Sequence, residues 1–171
     1  MCSSDLLDEQ AEAFRWQLEV AAERDLPVTI HCLDAWGRLL RLLRESRIPA
    51  RGFLLHAYGG SAELAKDFAA LGAYFSFNGA FLASRHAARR TVFAGLPPDR
   101  LLVETDAPAM ALPAEFEHYP LPPAPSGDRV NHPANLTAAY AGLAVVRGLA
   151  EAELRETVLR NFTRWFGQPA G

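Results

Sequence analysis

Glu104 and Asp106 stand two residues apart at the end of an apolar run, in LLVETDAP at positions 101–108. The run from Leu101 to Val103 reads as a short buried strand. Side chains alternate along a strand, so the two carboxylates point to the same side. Acids in such a place are costly unless a cation lies beside them. Two histidines hold equivalent positions: His31 ends Val28-Thr29-Ile30, and His56 ends Phe53-Leu54-Leu55. Imidazole nitrogen and carboxylate oxygen together suit Zn²⁺ or Mn²⁺, and a carboxylate-rich site suits Mg²⁺. Two such ions about 4 Å apart can activate a water and stabilise both oxygens in the cleavage of a phosphodiester.

The elements that must gather these four residues alternate along the chain. From Leu7, the positions Ala11, Phe14, Leu18 and Ala21 keep helical spacing. Ser4 or Asp5 is placed to cap that helix, and Pro27 stops it before the first strand. Asp34 is placed to cap a second helix carrying Leu39, Leu40 and Leu43, and Ser61 a third through Leu64, Phe68 and Leu71, ended by Gly72. A third strand is expected from Ala73 to Phe77, a helix from Ser84 to Ala94, and the fourth strand from Leu101 to Thr105. The stretch from Pro108 to Pro133 has seven prolines and little periodicity; a loop of that length is usually functional or disordered. Two helices close the chain, one from about Ala134 to Arg147 and one with Leu154, Val158, Phe162 and Trp165 on a face. Strand then helix, four times over, predicts an α/β fold with a parallel sheet and helices outside it. In a (β/α)8 barrel of ~31 residues per unit, catalytic residues sit at the carboxyl ends of the strands. That is where His31, His56, Glu104 and Asp106 fall.

With 171 residues the chain can bury a core as one domain. Half of it is hydrophobic and 22% is charged, an ordinary soluble composition. A net charge of −3 gives no global attraction to nucleic acid or membranes, so any such binding must be local. No apolar run approaches the ~18 residues of a membrane span, and MCSSDLLDEQ lacks the pattern of a signal peptide. Cys2 and Cys32 show no metal or redox spacing. The expectation is a cytoplasmic protein with free thiols and no membrane partner.

LPVTIHCLDAW, FLLHAYGGSAELA, YFSFNG and RLLVETDAP, in that order, resemble the TatD family of metal-dependent hydrolases, as do RVNHPANL and the closing LRNFTRWFG. The resemblance covers nearly the whole chain. It implies a TIM-barrel fold and divalent metal cofactors, two in the complete protein, with Mg²⁺ expected first and Zn²⁺ or Mn²⁺ as alternatives. The family includes magnesium-dependent deoxyribonucleases acting from DNA ends, so DNA is the expected substrate. The match implies metal-ligand roles for His31, His56 and Asp106. Asp106 and Glu104 are the implied catalytic acids, Glu104 orienting a ligand or a water. The family also carries a His-x-His pair on its first strand and a later GEIGLD segment; this chain contains neither. The resemblance therefore implies a partial TIM barrel of about four C-terminal β/α units plus closing helices. Residues 1–171 would form a single domain, N-terminally incomplete by roughly 90 residues against a typical barrel. The missing half is needed for a full site.

Arg129, just before NHPANL, is a candidate contact for an anionic substrate. Arg85, Arg89 and Arg90 form a basic face that reads either as a phosphate contact or as a solvated helix surface. His132 is placed either to touch substrate or to pack its loop, and His86 and His118 read as surface residues. Cys32 faces away from His31, which predicts a buried thiol. Trp36 reads as core, and Ala150 leaves the last helix without a side-chain cap. Two other functions fit the same residues: an amide or ester hydrolase of the same barrel superfamily, and a non-catalytic remnant.

Overall fold

Pro27 and the glycines at 52 and 72 punctuate the first half of the chain into helix–strand units, and a computed structural model shows how these assemble. It describes residues 3–167, with side chains from Asp8 onward. Four short strands, β1 (Val28–Ile30), β2 (Phe53–Leu55), β3 (Ala73–Asn78) and β4 (Leu101–Glu104), form one parallel sheet in the order β1-β2-β3-β4. Six helices surround them: α1 (Ser3–Arg24), α2 (Trp36–Arg44), α3 (Ala62–Ala70), α4 (Ala87–Gly95), α5 (Leu136–Arg147) and α6 (Glu151–Phe166).

Period-two alternation gives the sheet two different faces. Phe53, Leu55, Ala73, Phe75, Phe77 and Leu101 have no exposed surface and cluster with Leu43, Phe68, Phe93 and Leu143 of α2 to α5. The register Ser76↔Leu102 and Asn78↔Glu104 sets the opposite face. There the α6 residue Trp165 lies against Tyr74, ring centroids 6.3 Å apart. Glycine is required where β2 and β3 begin: a Cβ on Gly52, at φ +83°, would collide with the Gly72 carbonyl oxygen. Trp36 meets Tyr58 edge-on at 4.7 Å, as expected of a core residue.

Ser61 caps α3, its Oγ accepting the Leu64 N–H at 3.3 Å. Asp34 does not cap α2. The helix starts one residue later, after Ala35, with no side-chain cap, and Asp34 itself turns the chain at φ 51°. The cap expected of Ser4 or Asp5 on α1 falls on side chains outside the described ones. The helix expected over Ser84–Ala94 divides into a 3-10 turn, Ser84–His86, and α4. Arg90 holds this corner, Nη1 donating to the Phe81 and Ala83 carbonyls at 2.7 Å each. On α6 the buried face runs Leu154, Val158, Asn161 and Trp165, while Phe162 is 39% exposed. Ala150 provides no cap for α6, as its type dictates. Among the described residues no helix is long and apolar enough to cross a membrane.

Candidate metal centre

β2 ends at Leu55, and the chain leaves the sheet through His56 and Ala57. Ala57 lies in the left-handed region at φ 46°, which an L side chain resists by roughly 1–2 kcal/mol. That turn aims the Ala57 N–H at two acceptors, Glu104 Oε1 at 3.0 Å and Ser76 Oγ at 3.2 Å. Glu104, the last residue of β4, places its other oxygen, Oε2, 2.8 Å from His56 Nδ1. Asp106 follows two residues on, and its Oδ1 lies 3.3 Å from His56 Nε2. The three side chains keep only 22%, 14% and 21% of their surface exposed. Ligand atoms of His56, Glu104 and Asp106 all fall within 4.8 Å of one another.

The donor chemistry of this group fits a divalent cation. Glu104 accepting from His56 fixes an imidazole proton on Nδ1 and, in the neutral ring, leaves the lone pair on Nε2. That lone pair faces a carboxylate oxygen, and two acceptors at 3.3 Å repel unless a proton or a cation lies between them. Two donors on one ion, each ~2.1 Å from it at ~90–109°, stand ~3.0–3.4 Å apart. The observed separation falls in that range. Without a cation the proton takes its place: the hydrogen bond to Glu104 chiefly, with the charges of both acids, holds the His56 pKa above its ordinary value. Asp106 is also raised, mainly because burial penalises its charge, an effect that His56 partly offsets.

His31 lies beside this group rather than within it. Its ring is tilted at 39° to that of His56, with centroids 5.5 Å apart. Arg129 is half-exposed on the loop after β4 and pairs with Glu117, Nη2 to Oε2 at 2.6 Å. The basic trio divides by role: Arg90 is a backbone strap, Arg89 lies over the Phe81 ring at 5.0 Å, and Arg85 is exposed. Burial, with help from these three arginines, holds the His86 pKa down. Cys32 is half-buried, and burial pushes its thiol pKa up.

Three polar residues near the acids escape a reading by residue type. Ser76 is 1% exposed and accepts from Ala57; strand alternation, which sets it opposite Phe75 and Phe77, is the signal for it. Asn78, wholly buried beside Glu104 in the register, accepts the Ala80 N–H, but its Nδ2 donor has no partner among the described residues. Asn131, 1% exposed, donates to Thr105 Oγ1 at 3.0 Å, between the two carboxylates.

Comparison with known proteins places this geometry in context. A sequence model of the TatD related DNase family matches residues 2–167. The uncharacterized metal-dependent hydrolase YcfH of Escherichia coli K12 is 32% identical over 157 residues, which is 92% of this chain and 55% of that protein. The 3'-5' ssDNA/RNA exonuclease TatD of Cronobacter sakazakii is 37% identical over 159 residues, again 92% of this chain and 58% of its own. The crystal structure of YJJV, a TatD homolog from Escherichia coli K12, superposes with a TM-score of 0.83 at 27% identity, covering 99% of this chain and 61% of that one. The chain thus spans little more than half the length of the curated relatives it matches.

Proposed function

The chain belongs to the TatD related DNase family, and on that premise we propose that the whole protein is a divalent-metal-dependent hydrolase cleaving phosphodiester bonds in DNA. The observation that carries this reading is His56, anchored at Nδ1 by Glu104 and facing Asp106 through Nε2 at 3.3 Å. A divalent ion bound there supplies Lewis acidity toward a phosphoryl oxygen and lowers the pKa of a water. His56 and Asp106 would hold one ion, in place of a first ion shared by His31 and His56, and His31, one residue past the neighbouring strand β1, would extend the donor set toward a second. Glu104 keeps the His56 proton on Nδ1, and the Ala57 N–H, bonded to the other oxygen, fixes the Glu104 carboxyl in place. Arg129 contacts a phosphate of the substrate, exchanging part of its pairing with Glu117.

In this reading residues 1–171 lie in one domain, and the four-stranded sheet is the second half of an eight-stranded barrel. The remaining strands complete the ligand set. Mg²⁺ is the expected metal, with Mn²⁺ and Zn²⁺ as alternatives. The Cronobacter relative is named an exonuclease of ssDNA and RNA, which favours nucleic acid over an amide or ester.

The test uses labelled single-stranded DNA with Mg²⁺ or Mn²⁺. It is run on this chain alone and on a fusion to the part of the YJJV chain that this one does not cover. The fusion should release nucleotides, stop with a chelator, and lose the activity on Asp106→Asn. Cleavage of an ester or amide with DNA left intact would overturn the nuclease reading. Metal-independent turnover would overturn the metal centre.

A further inference from the structure

We propose that Tyr119 and His132 form a platform on which an unpaired nucleobase of the substrate stacks beside the metal centre. The inference rests on the phosphodiesterase reading and adds to it the residues of this chain that would hold a base.

The loop after β4 contains a line of buried amides that leads from Thr105 to one exposed ring. It starts at Thr105, between Glu104 and Asp106, whose Oγ1 accepts from Asn131 Nδ2 at 3.0 Å. Asn131 also donates to the Met110 carbonyl, and its N–H donates to the Pro108 carbonyl at 2.9 Å. Its Oδ1 accepts from Asn135 Nδ2 at 3.3 Å. Asn135, with no exposed surface, then holds both backbone groups of Tyr119: Oδ1 accepts the Tyr119 N–H at 2.9 Å, and Nδ2 donates to the Tyr119 carbonyl at 3.2 Å. Burying two amides is costly unless they are fully bonded. Here the bonds converge on the backbone of a residue that is itself 47% exposed.

The ring is held from below as well. His132 Nδ1 accepts the Ala134 N–H at 3.0 Å, which fixes the imidazole. The imidazole stacks on Tyr119, centroids 5.7 Å apart and planes at 28°. One face of Tyr119 is thus backed and the ring remains largely in solvent. A loop that only joins two elements does not need a surface tyrosine fixed at both backbone groups. A flat, rigid, half-exposed aromatic suits a flat aromatic ligand, and base–aromatic stacking takes any unpaired base. Arg129, three residues before His132, has a half-exposed guanidinium for the adjoining phosphate. In a duplex the base faces are already stacked, so this platform favours single strands.

The experiment measures binding of the 171-residue chain to two fluorescein-labelled oligonucleotides by anisotropy, in chelator so that nothing is cleaved. One is oligo-dT and the other an abasic strand of equal length. The abasic strand should bind roughly ten-fold more weakly. Tyr119→Ala should lower dT affinity to that level without changing abasic binding, while Tyr119→Phe binds like the parent. The Asn135 bonds reach only the backbone of Tyr119, so both variants should keep the parent's melting temperature. Equal affinity for the two strands, an unchanged Tyr119→Ala, an equal loss on both strands, or no binding of either would overturn the platform. Metal-dependent hydrolysis of bis(p-nitrophenyl) phosphate, a phosphodiester without a base, is measured separately on the fusion described above. Its presence leaves the phosphodiesterase reading standing whatever the oligonucleotides do, and its absence removes that reading.

Discussion

His56 and Asp106 both have pKa values raised in the metal-free chain, so the folded state binds protons more readily than the unfolded one at both residues. Stability linked to a raised pKa is fully present below the unfolded value and is lost as pH rises through the folded one. For His56 that window opens at about 6.5 and closes at its higher folded value. The melting temperature of metal-free protein should therefore decline above about pH 6.5, and His56→Gln should flatten that part of the profile. An unchanged profile in the variant would mean that another group titrates there. A metal ion competes with the same protons, so Mn²⁺ affinity should climb over the same window. Two substitutions separate holding the ion from orienting its ligand. Asp106→Asn should abolish Mn²⁺ binding in calorimetry, whereas Glu104→Gln should weaken it by roughly 10–100-fold, the usual cost of removing a partner behind a ligand. Equal effects would make Glu104 a ligand in its own right. The pairing of these acids was legible in the sequence, because alternation alone puts positions 104 and 106 on one side. The roles of Asn78, Asn131 and Asn135 were not: an asparagine acts through whatever groups the fold brings within hydrogen-bonding reach, such as the Tyr119 backbone at 16 residues' distance.

The strands and their order follow from apolar runs and glycines, which act locally, and every strand lies where its pattern put it. Helix ends were harder, because distant side chains finish them. Arg147, at the end of α5, donates to the carbonyls of Phe93, Ala94 and Leu96 and so closes α4. Arg51 does the same for α6 through Trp165 and Phe166, while also pairing with Asp25. No pattern within α4 or α6 announces such a cap. The helical face of α6 shows the same limit. Phe162 fits an apolar stripe, yet Asn161 is the buried residue, 1% exposed, with Nδ2 donating to the Pro98 and Leu101 carbonyls at 2.8 and 2.9 Å. Those carbonyls stand where the chain enters β4, so this amide ties α6 to the strand that carries Glu104. Asn161→Leu keeps the branched outline but removes the donor from two carbonyls, at ~1–3 kcal/mol for each group left unsatisfied. A matching drop in denaturant midpoint is expected, larger than that for Phe162→Ala. The opposite order would show that the apolar stripe, and not the amide, anchors the helix.

The sheet as a whole has two edges. Among the described residues β1 and β4 each have one strand neighbour, and the far side of each has none. An eight-stranded barrel removes such edges by closing on itself, but four strands of this length cannot close. Apolar side chains contribute to the surfaces next to both edges. Phe14, Leu18, Val28 and Ile30 line a cavity of about 190 Å³ on the β1 side. On the β4 side Leu102, Glu104, Tyr140, Leu159 and Phe162 line one of about 310 Å³. Leu159 is 65% exposed, and Phe166, stacked on Phe162, 53%. Unpaired strand edges and clustered exposed apolar side chains both favour association. The purified chain should therefore show a mass by light scattering that rises with concentration, and it should bind a hydrophobic dye. If the edges are responsible, the remedy must act there. Leu159→Lys should reduce both signals, whereas Val145→Lys, at an exposed position on α5, should not. Fusion to the uncovered part of the YJJV chain should reduce both signals further, because strands would then occupy the edges. A monomer across the whole dilution range, with no dye bound, would show that the sheet edges are already satisfied. The barrel reading of this sheet would then fail even with the metal centre intact.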